Sequence, residues 1–252
     1  MRKTILQRDL GENGGSETRD ERLLKFENPE LDRRIGGLPL PSLTLIEGPN
    51  DAGKSVLAQQ ISYGALRNGL KVLYITTENS IKSLIFHMKS LHWNVEEYFI
   101  SGSLRVTPLN VAGLEWTPEI SKYFMTALIS FTKKKNASDV VVVDSLTHLI
   151  TQARADDILG FFSQCRYLSD TQNKTFILTL HPYAINQELL VRVRAICDGH
   201  FNLSIRTFQD KSILTLNVSK LKGASQTSGS FISFEVNPAF GIKVLPFTAT
   251  RG

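Results

Sequence analysis

The chain contains little cysteine and no long apolar segment. Only two of its 252 residues are cysteines, Cys165 and Cys197, and their spacing suggests neither a disulfide framework nor a zinc site. Five histidines are scattered, and His87 and His92 lie at the wrong helical offset to bind one metal ion. No stretch approaches the roughly 18 uncharged apolar residues of a transmembrane helix. We therefore expect a chain from a reducing, cytoplasmic setting that binds no zinc and does not span a membrane by itself.

The chain also lacks a concentration of one charge and lacks internal repeats. Lysine and arginine number 29 against 24 aspartates and glutamates, a net charge of +5, but the basic residues form no long block. Charge alone is therefore a weak indication of nucleic-acid binding. The absence of a repeat excludes a duplicated, two-lobed ATPase at this length.

The N-terminal segment differs in composition from the rest of the chain. Residues 1–24 are charged and rich in glycine, and they lack the continuous apolar core of a signal peptide. Few large apolar side chains are available there to pack against a core, so we predict a flexible arm. Residues 25–252 are then expected to form a single domain with a sizeable core.

The most specific pattern is a phosphate-binding loop, the Walker A sequence. Residues 48–55, GPNDAGKS, match GxxxxGK[ST] directly after the apolar run Leu43 to Ile46. Glycines let several backbone N–H groups surround phosphate oxygens at the N-terminus of a helix. Lys54 is predicted to reach the β- and γ-phosphates, and Ser55 to hold Mg²⁺. The residues expected to contact the nucleotide are Gly48, Asn50, Asp51, Ala52, Gly53, Lys54, Ser55 and Val56.

Strand-like and helix-like segments alternate up to about residue 180, which predicts a parallel sheet with helices on both sides. The strand-like segments are 43–47, 71–76, 103–107, 140–144 and 175–180. The helix-like segments are 55–67, 80–91, 117–135 and 156–169, with a short helical turn near residue 30. The last fifty residues contain only strand-like segments, at 200–206, 212–219, 231–236 and 241–247. We therefore predict an α/β fold whose mostly parallel central sheet carries an antiparallel extension.

Two carboxylates are candidates for chemistry beside the phosphate loop. Asp144 ends a run of four valines and is predicted to be the Walker B acid that orients Mg²⁺. The alternative is a strand-terminal aspartate that caps the next turn. Because Ser145 follows it, the second carboxylate with which many ATPases polarise the attacking water is missing here. Glu78, just beyond a predicted strand, is the best candidate for that base, the alternative being a solvated loop acid.

Four further residues are candidates for sensing or contacting phosphate. Thr179 and His181 end the strand that follows Asp144 and could report on a γ-phosphate, although His181 could equally be structural in its turn. Lys220 and Lys222 alternate at a strand end, which places them on one face. The two lysines are either a solvated sheet edge or contacts to phosphate held by a neighbouring subunit, acting as an arginine finger does.

These segments together resemble the KaiC-like branch of the RecA superfamily over residues 31–247. LDRRIGGLPLPS resembles the motif that opens the family's domain, YITTE its catalytic-glutamate strand, VVVVDS its Walker B strand and SKLKG its lysine-x-arginine segment. LDRRIGG, LIEGPNDAGKSVLAQQISYGAL and VLYITTENS are most similar to the FlaH or ArlH family, accessory ATP-binding proteins of the archaellum, the archaeal motility motor. Lys222 differs from the arginine usual in clock-type relatives, and Ala224 and Gln226 replace a hydroxyl and a histidine there.

The resemblance implies a RecA-like P-loop domain that binds ATP and Mg²⁺ and assembles into a homo-oligomeric ring, expected to be a hexamer. It also implies docking to the secretion and motor ATPase, the membrane platform protein and the ring scaffold of that motor, at the cytoplasmic side of the membrane. Hydrolysis is expected to be slow or absent. The residues that would support it are Glu78, Lys54, Lys220 and Lys222, with Ser55 and Asp144 on the metal.

Three functions remain open from the sequence. The first is a nucleotide-gated assembly factor that binds ATP without appreciable turnover. The second is a motor-type ATPase that uses Glu78 as its base. The third is a RadA-like recombinase on single-stranded DNA, which is disfavoured because the segments after Asp144 and after the 175–180 strand are not Gly-rich and no separate DNA-binding domain precedes the core.

Overall fold

A nine-stranded sheet forms the centre of the molecule, and eight α-helices are assigned within the described residues. The computed structural model describes residues 22–111, 113–133, 138–208, 211–223 and 231–246. The strands are β1 (Arg22–Leu24), β2 (Leu38–Leu40), β3 (Leu43–Glu47), β4 (Val72–Thr76), β5 (Leu104–Pro108), β6 (Val140–Asp144), β7 (Thr175–Leu180), β8 (Gly199–Phe208), β9 (Lys211–Leu221), β10 (Phe231–Asn237) and β11 (Gly241–Val244). The helices are α1 (Pro29–Ile35), α2 (Lys54–Arg67), α3 (Ile81–Ser90), α4 (Glu96–Ile100), α5 (Pro118–Thr132), α6 (Thr147–Ile150), α7 (Ala155–Gln172) and α8 (Gln187–Ile196).

The sheet confirms the predicted fold class. Its strand order is β11-β10-β9-β8-β3-β7-β6-β4-β5. The six neighbouring strands β8, β3, β7, β6, β4 and β5 pair in parallel. The strands β8, β9, β10 and β11 pair antiparallel with one another in that order. Parallel strands need crossover connections, which the helices supply here, whereas the antiparallel strands β8, β9, β10 and β11 follow one another in chain order.

Both faces of the parallel part are covered, which explains its continuous apolar strands. In β6, Val140 and Val142 pack in the core beneath α2, whereas Val141 and Val143 pack in the core beneath α5, α7 and α8. All five residues of β6 are buried. Branched side chains on both faces are the pattern expected of a central parallel strand.

Two helix starts follow directly from the sequence. Thr117 accepts a hydrogen bond from the backbone N–H of Ile120 and Pro118 occupies the first turn of α5, as a capping signal predicts. Ser80 caps α3 in the same way through the N–H of Ser83. Both predicted helices are therefore present, with boundaries shifted by one to a few residues.

Five of these strands and α-helices were not assigned from the sequence: β1, β2, α4, α6 and α8. Helix α8 contributes buried Leu189, Leu190 and Val193 to the core, with partly buried Ile196 packed against it. Strand β1 pairs with β2, so residues 22–24 of the predicted arm form a strand, while residues 1–21 lie outside the described residues. The short helix α4 has no buried residue.

A few predicted segments are only partly described. Lys134 and Lys135, expected at the end of α5, lie outside the described residues, as does Phe247 at the predicted end of the last strand. Within the described ranges, no helix has the length and apolar composition to cross a bilayer.

Candidate functional site

A cavity of about 440 Å³ opens at the carboxyl ends of the parallel strands. This edge of a doubly wound sheet is where such folds place ligands, and the volume is within the usual range of small-molecule sites. Its lining residues come from the phosphate loop, from the ends of β4, β6 and β7, and from β9 and β10: Asn50, Asp51, Gly53, Lys54, Ser55, Val56, Glu78, Asp144, Ser145, His181, Leu214 and Val236.

Glycines shape the loop that enters this cavity. A Cβ on Gly48 would lie 2.7 Å from the backbone oxygen of Leu203, so no larger residue fits against β8. Gly53 has a φ of 89° at the N-cap of α2, a conformation that costs glycine little. Helix α2 then begins at Lys54, so its free N–H groups and positive end face the cavity.

The Lys54 ammonium is held over the loop by two acceptors. Its Nζ donates to the backbone oxygen of Pro49 at 2.7 Å and lies 2.9 Å from His181 Nε2. The residue is only 6% exposed. Burial lowers the Lys54 pKa below its usual value, and the carboxylates of Asp144, Glu78 and Asp51 oppose that shift.

His181 is fixed on both sides of its ring. Thr147 Oγ1 lies 2.8 Å from Nδ1 and also accepts the His181 backbone N–H at 3.1 Å. Because Lys54 can only donate, Nε2 must accept and Nδ1 must carry the proton. Burial first and the Lys54 charge second lower the His181 pKa, which favours this neutral ring. The exposed Tyr183 ring stacks on it, with centroids 5.2 Å apart.

Asp144 is the acceptor at the centre of the site. Its Oδ1 accepts from Ser55 Oγ at 3.1 Å and from Thr179 Oγ1 at 2.7 Å, and its Oδ2 accepts from the Tyr74 hydroxyl at 2.7 Å. The residue is 2% exposed.

The Ser55 hydroxyl and the Asp144 carboxylate fit Mg²⁺. Mg²⁺ prefers oxygen ligands and binds through one or two carboxylates together with substrate phosphates. No group of three or more His, Cys, Asp or Glu side chains in the described residues is placed to hold a metal by itself. This oxygen pair beside the phosphate loop therefore suits a metal that arrives with a nucleotide. When bound, Mg²⁺ would neutralise phosphate charge there.

Glu78 lines the same cavity from the end of β4. Its backbone N–H donates to Thr76 Oγ1 at 3.2 Å, and its side chain keeps substantial exposure to solvent. Partial desolvation first and the nearby Asp144 carboxylate second raise the Glu78 pKa, whereas Lys54 opposes the shift. A carboxylate with a raised pKa is a better proton acceptor than an ordinary glutamate.

The two predicted trans lysines lie away from the chain's own phosphate loop. Leu214 lines the cavity and Lys220 is farther along the same strand β9, roughly 20 Å away at about 3.4 Å per residue. Lys220 Nζ donates to the backbone oxygens of Arg194 at 3.1 Å and Ala195 at 3.2 Å, at the end of α8. Lys222 lies 3.7 Å from Asp198 and is exposed. Ala224 and Gln226 lie outside the described residues.

A buried ionic cluster lies immediately before the loop. Glu47, which is 1% exposed, forms a two-pronged ion pair with Arg194 of α8 and lies 3.0 Å from His200 of β8. Burial disfavours the Glu47 carboxylate, but hydrogen bonds from His200 and Arg194 outweigh it and lower the pKa. This cluster ties α8 and β8 to the residue that precedes Gly48.

Sequence reasoning missed four residues of the site. Tyr74 is a polar side chain in the otherwise apolar run VLYI, which is a usable signal for a buried hydroxyl with a partner. Thr147, Leu214 and Val236 carry no such signal, because only the folded chain brings them to the loop.

Comparisons with known proteins identify the family of the chain. A family model described as "ATPase: KaiC" matches residues 26–249. The "Archaeal flagellar ATP-binding protein FlaH" of Sulfolobus acidocaldarius is 35% identical over 229 residues, covering 91% of this chain and 99% of the relative. The protein of that name from Methanocaldococcus jannaschii is 30% identical over 231 residues, covering 88% of this chain and 94% of the relative.

Two solved structures share the fold. The crystal structure of flagellar accessory protein FlaH from Methanocaldococcus jannaschii superposes with a TM-score of 0.75 at 27% identity, covering 90% of this chain and 100% of that one. A KaiC-like protein from Pyrococcus horikoshii superposes with a TM-score of 0.70 at 22% identity, covering 90% of this chain and 100% of that one. The second match supports the fold alone.

Proposed function

The chain belongs to the KaiC family of ATPases and, within it, to the FlaH family, and from that premise we propose that it is an ATP-binding assembly subunit of an archaellum motor. In this proposal ATP and Mg²⁺ bind in the cavity, gate the formation of a homo-oligomeric ring, and permit docking to the motor ATPase. The membrane platform protein and the ring scaffold are further proposed partners. The subunit would act in the cytoplasm, held at the membrane through its complex.

One observation carries the nucleotide part of the proposal. Lys54, Ser55 and Asp144 come from separate parts of the sequence and line one cavity at the N-terminus of α2. Lys54 supplies a positive charge for the β- and γ-phosphates, and the N–H groups of the loop supply donors for their oxygens. Apolar Leu214 and Val236, which also line the cavity, are the proposed contacts for the base.

The residues near Asp144 support the proposal that ATP is hydrolysed only slowly. Ser145 provides a hydroxyl where many ATPases place a second carboxylate, and Glu78, which shares the lining with the acids Asp51 and Asp144, is the proposed base for the attacking water. Glu78 is partly solvated, and a base in contact with bulk water is less well oriented for attack. The chain would then bind ATP and hydrolyse it only slowly.

The raised pKa of Glu78 favours a second candidate function, an active motor-type ATPase. A base close to the phosphate loop with enhanced proton affinity is the arrangement that hydrolysis needs. Glu78→Gln decides between the two functions. If the wild type turns ATP over and Glu78→Gln abolishes turnover while binding stays unchanged, the chain is a true ATPase; if the wild type binds ATP and shows negligible turnover, it is an assembly factor.

The decisive experiment measures ATP binding, ATP hydrolysis and oligomer size on the same preparation, with and without single-stranded DNA. We expect binding and nucleotide-dependent assembly with little hydrolysis. Lys54→Ala should remove both binding and assembly because it deletes the charge that faces the phosphates. Unchanged affinity and assembly in Lys54→Ala would refute the switch, and strong DNA-stimulated turnover would instead indicate a recombinase.

Lys222 tests the proposed contact between subunits. Lys222→Ala should weaken ATP-dependent assembly more than ATP binding by the isolated subunit, because the side chain is exposed and distant from its own loop. Lys243→Ala is the matched control, since Lys243 is also exposed and pairs with one carboxylate, that of Glu235. Equal loss of binding and assembly in Lys222→Ala would argue against a role in trans.

The partner proposal is tested by binding of the purified motor ATPase from the same organism. We expect retention of the motor ATPase on the immobilised subunit with Mg²⁺ and a slowly hydrolysed ATP analogue, and weaker retention with no nucleotide. Retention that is the same with and without nucleotide would remove the gating part of the proposal.

A further inference from the structure

Tyr74 makes a buried contact to the proposed metal-binding aspartate that its place in the sheet explains. Its hydroxyl donates to Asp144 Oδ2 at 2.7 Å, and the tyrosine is fully buried. Tyr74 lies on β4 opposite Val142, and Asp144 is two residues farther along β6 on the same face. An aromatic side chain spans this diagonal distance between neighbouring strands.

The direction of the Tyr74 hydroxyl follows from its partner. The Asp144 carboxylate oxygen accepts, so the hydroxyl gives its one proton to Oδ2.

The two oxygens of Asp144 therefore face different partners. Oδ2 is held by Tyr74 on the β4 side, whereas Oδ1 faces Ser55 and Thr179 on the side of the phosphate loop. Rotation of the carboxylate about its own axis would break the contact to Tyr74. We propose that Tyr74 is a positioning residue that orients the Asp144 carboxylate toward the Mg²⁺ that accompanies bound nucleotide.

A purely structural role for Tyr74 predicts a different result. If the hydroxyl only satisfied a buried polar group, its removal would lower the stability of the fold without changing how nucleotide binding depends on Mg²⁺. If it orients Asp144, its removal weakens the contribution of Mg²⁺ specifically. Outer hydrogen-bond partners of metal ligands change metal affinity by about 10- to 100-fold when they are removed.

The experiment titrates MgCl₂ at a fixed concentration of fluorescent ATP analogue and records the Mg²⁺ concentration at half-maximal binding. Tyr74→Phe should raise that midpoint about tenfold, while binding of the analogue in EDTA stays at the wild-type level. Tyr123→Phe, which removes an exposed hydroxyl on α5, is the control and should behave as wild type.

A double-mutant cycle tests whether Tyr74 acts through Asp144. In an Asp144→Asn background, Tyr74→Phe should shift the Mg²⁺ midpoint no further, because the carboxylate it orients is gone. An additional shift of equal size would refute the positioning role.

If Tyr74→Phe does not fold, 4-aminophenylalanine at position 74 keeps an N–H donor and should retain a midpoint within about threefold of wild type. A midpoint displaced as far as about tenfold would refute the proposal.

This inference rests on the proposed binding of ATP with Mg²⁺, and the two fail in different ways. Absence of analogue binding in the wild type would defeat the proposed function. Mg²⁺-dependent binding in the wild type together with an unchanged midpoint in Tyr74→Phe would defeat only the role of Tyr74.

Discussion

At the scale of single residues, neutral partners hold the Lys54 ammonium and the Asp144 carboxylate. The Lys54 ammonium lies against a backbone oxygen and the unprotonated nitrogen of His181. Among the described residues Lys54 forms no direct ion pair with a carboxylate, although Asp144 and Glu78 oppose the lowering of its pKa. A lysine held in this way keeps donor capacity for phosphate, because an ammonium has three N–H bonds and two are used.

The His181 contact predicts a pH dependence of stability for the nucleotide-free protein. The His181 pKa is lowered in the fold by burial and by Lys54, with His148 adding to the shift and Asp144 opposing it. The unfolded chain therefore takes up a proton first, and stability contributed by neutral His181 is present above pH about 6.5 and is lost as pH falls below it.

We expect wild-type stability to fall relative to His181→Gln as pH decreases from 7 to 5, with a slope of at most about 1.4 kcal/mol per pH unit for one proton. Urea unfolding at a series of pH values measures this difference. His87→Gln, at an exposed position on α3, is the control and should follow the wild type. Parallel pH profiles for the wild type and His181→Gln would contradict the assignment.

The residues predicted from the sequence are those whose role depends on local spacing. Lys54 and Ser55 were predicted because the loop that presents them is continuous in the chain. Asp144 was predicted because a carboxylate that ends an apolar strand is placed at the active edge of the sheet. Tyr74 and Thr147 were missed because each acts through a residue on another strand or helix, which no local pattern specifies.

At the scale of elements, the sequence predicts the parallel strands well and the last helix not at all. A strand buried on both faces must be apolar throughout, so β6 and β7 stand out in the sequence. Helix α8 covers only part of one face, and its charged residues Glu188 and Arg192 are exposed. Arg194 instead reaches the buried Glu47.

Arg194→Met should destabilise the fold strongly, because it removes the guanidinium that pairs with buried Glu47 and leaves the His200 imidazole beside that carboxylate. Loss of one partner of a buried ion pair costs about 3–5 kcal/mol, and we expect the lower end because the Arg194 side chain is 30% exposed. Thermal or urea unfolding measures the change.

Arg154→Met is the matched control for Arg194→Met. Arg154 pairs with Glu119 where both side chains are exposed, at 67% and 70%, so its removal should cost about 0–1 kcal/mol. Similar losses in the two variants would show that the Glu47 pair behaves as a surface pair.

At the scale of the whole molecule, the topology separates nucleotide binding from the proposed contact between subunits. The phosphate loop lies at the carboxyl ends of the parallel strands, whereas antiparallel β9 carries Lys220 and Lys222 back to the opposite edge. Lys220 contacts the end of α8, and burial first and Lys222 second lower its pKa. A fold with its two functional regions on opposite edges suits head-to-tail assembly, in which one subunit's lysines approach the next subunit's loop.

This arrangement predicts two separable effects of nucleotide on thermal stability. At a concentration about 100 times the dissociation constant, ligand binding stabilises the folded state by about 2.7 kcal/mol. For a chain of this length that corresponds to a rise in Tm of about 5–10 °C. Differential scanning calorimetry with Mg²⁺ and ATP, at low and high protein concentration, should show this rise in the wild type and none in Lys54→Ala. Lys222→Ala should keep the rise at low protein concentration and lose only the further increase that assembly adds at high concentration. Loss of the entire rise in Lys222→Ala at both concentrations would place Lys222 in the chain's own nucleotide site and contradict the separation of the two edges.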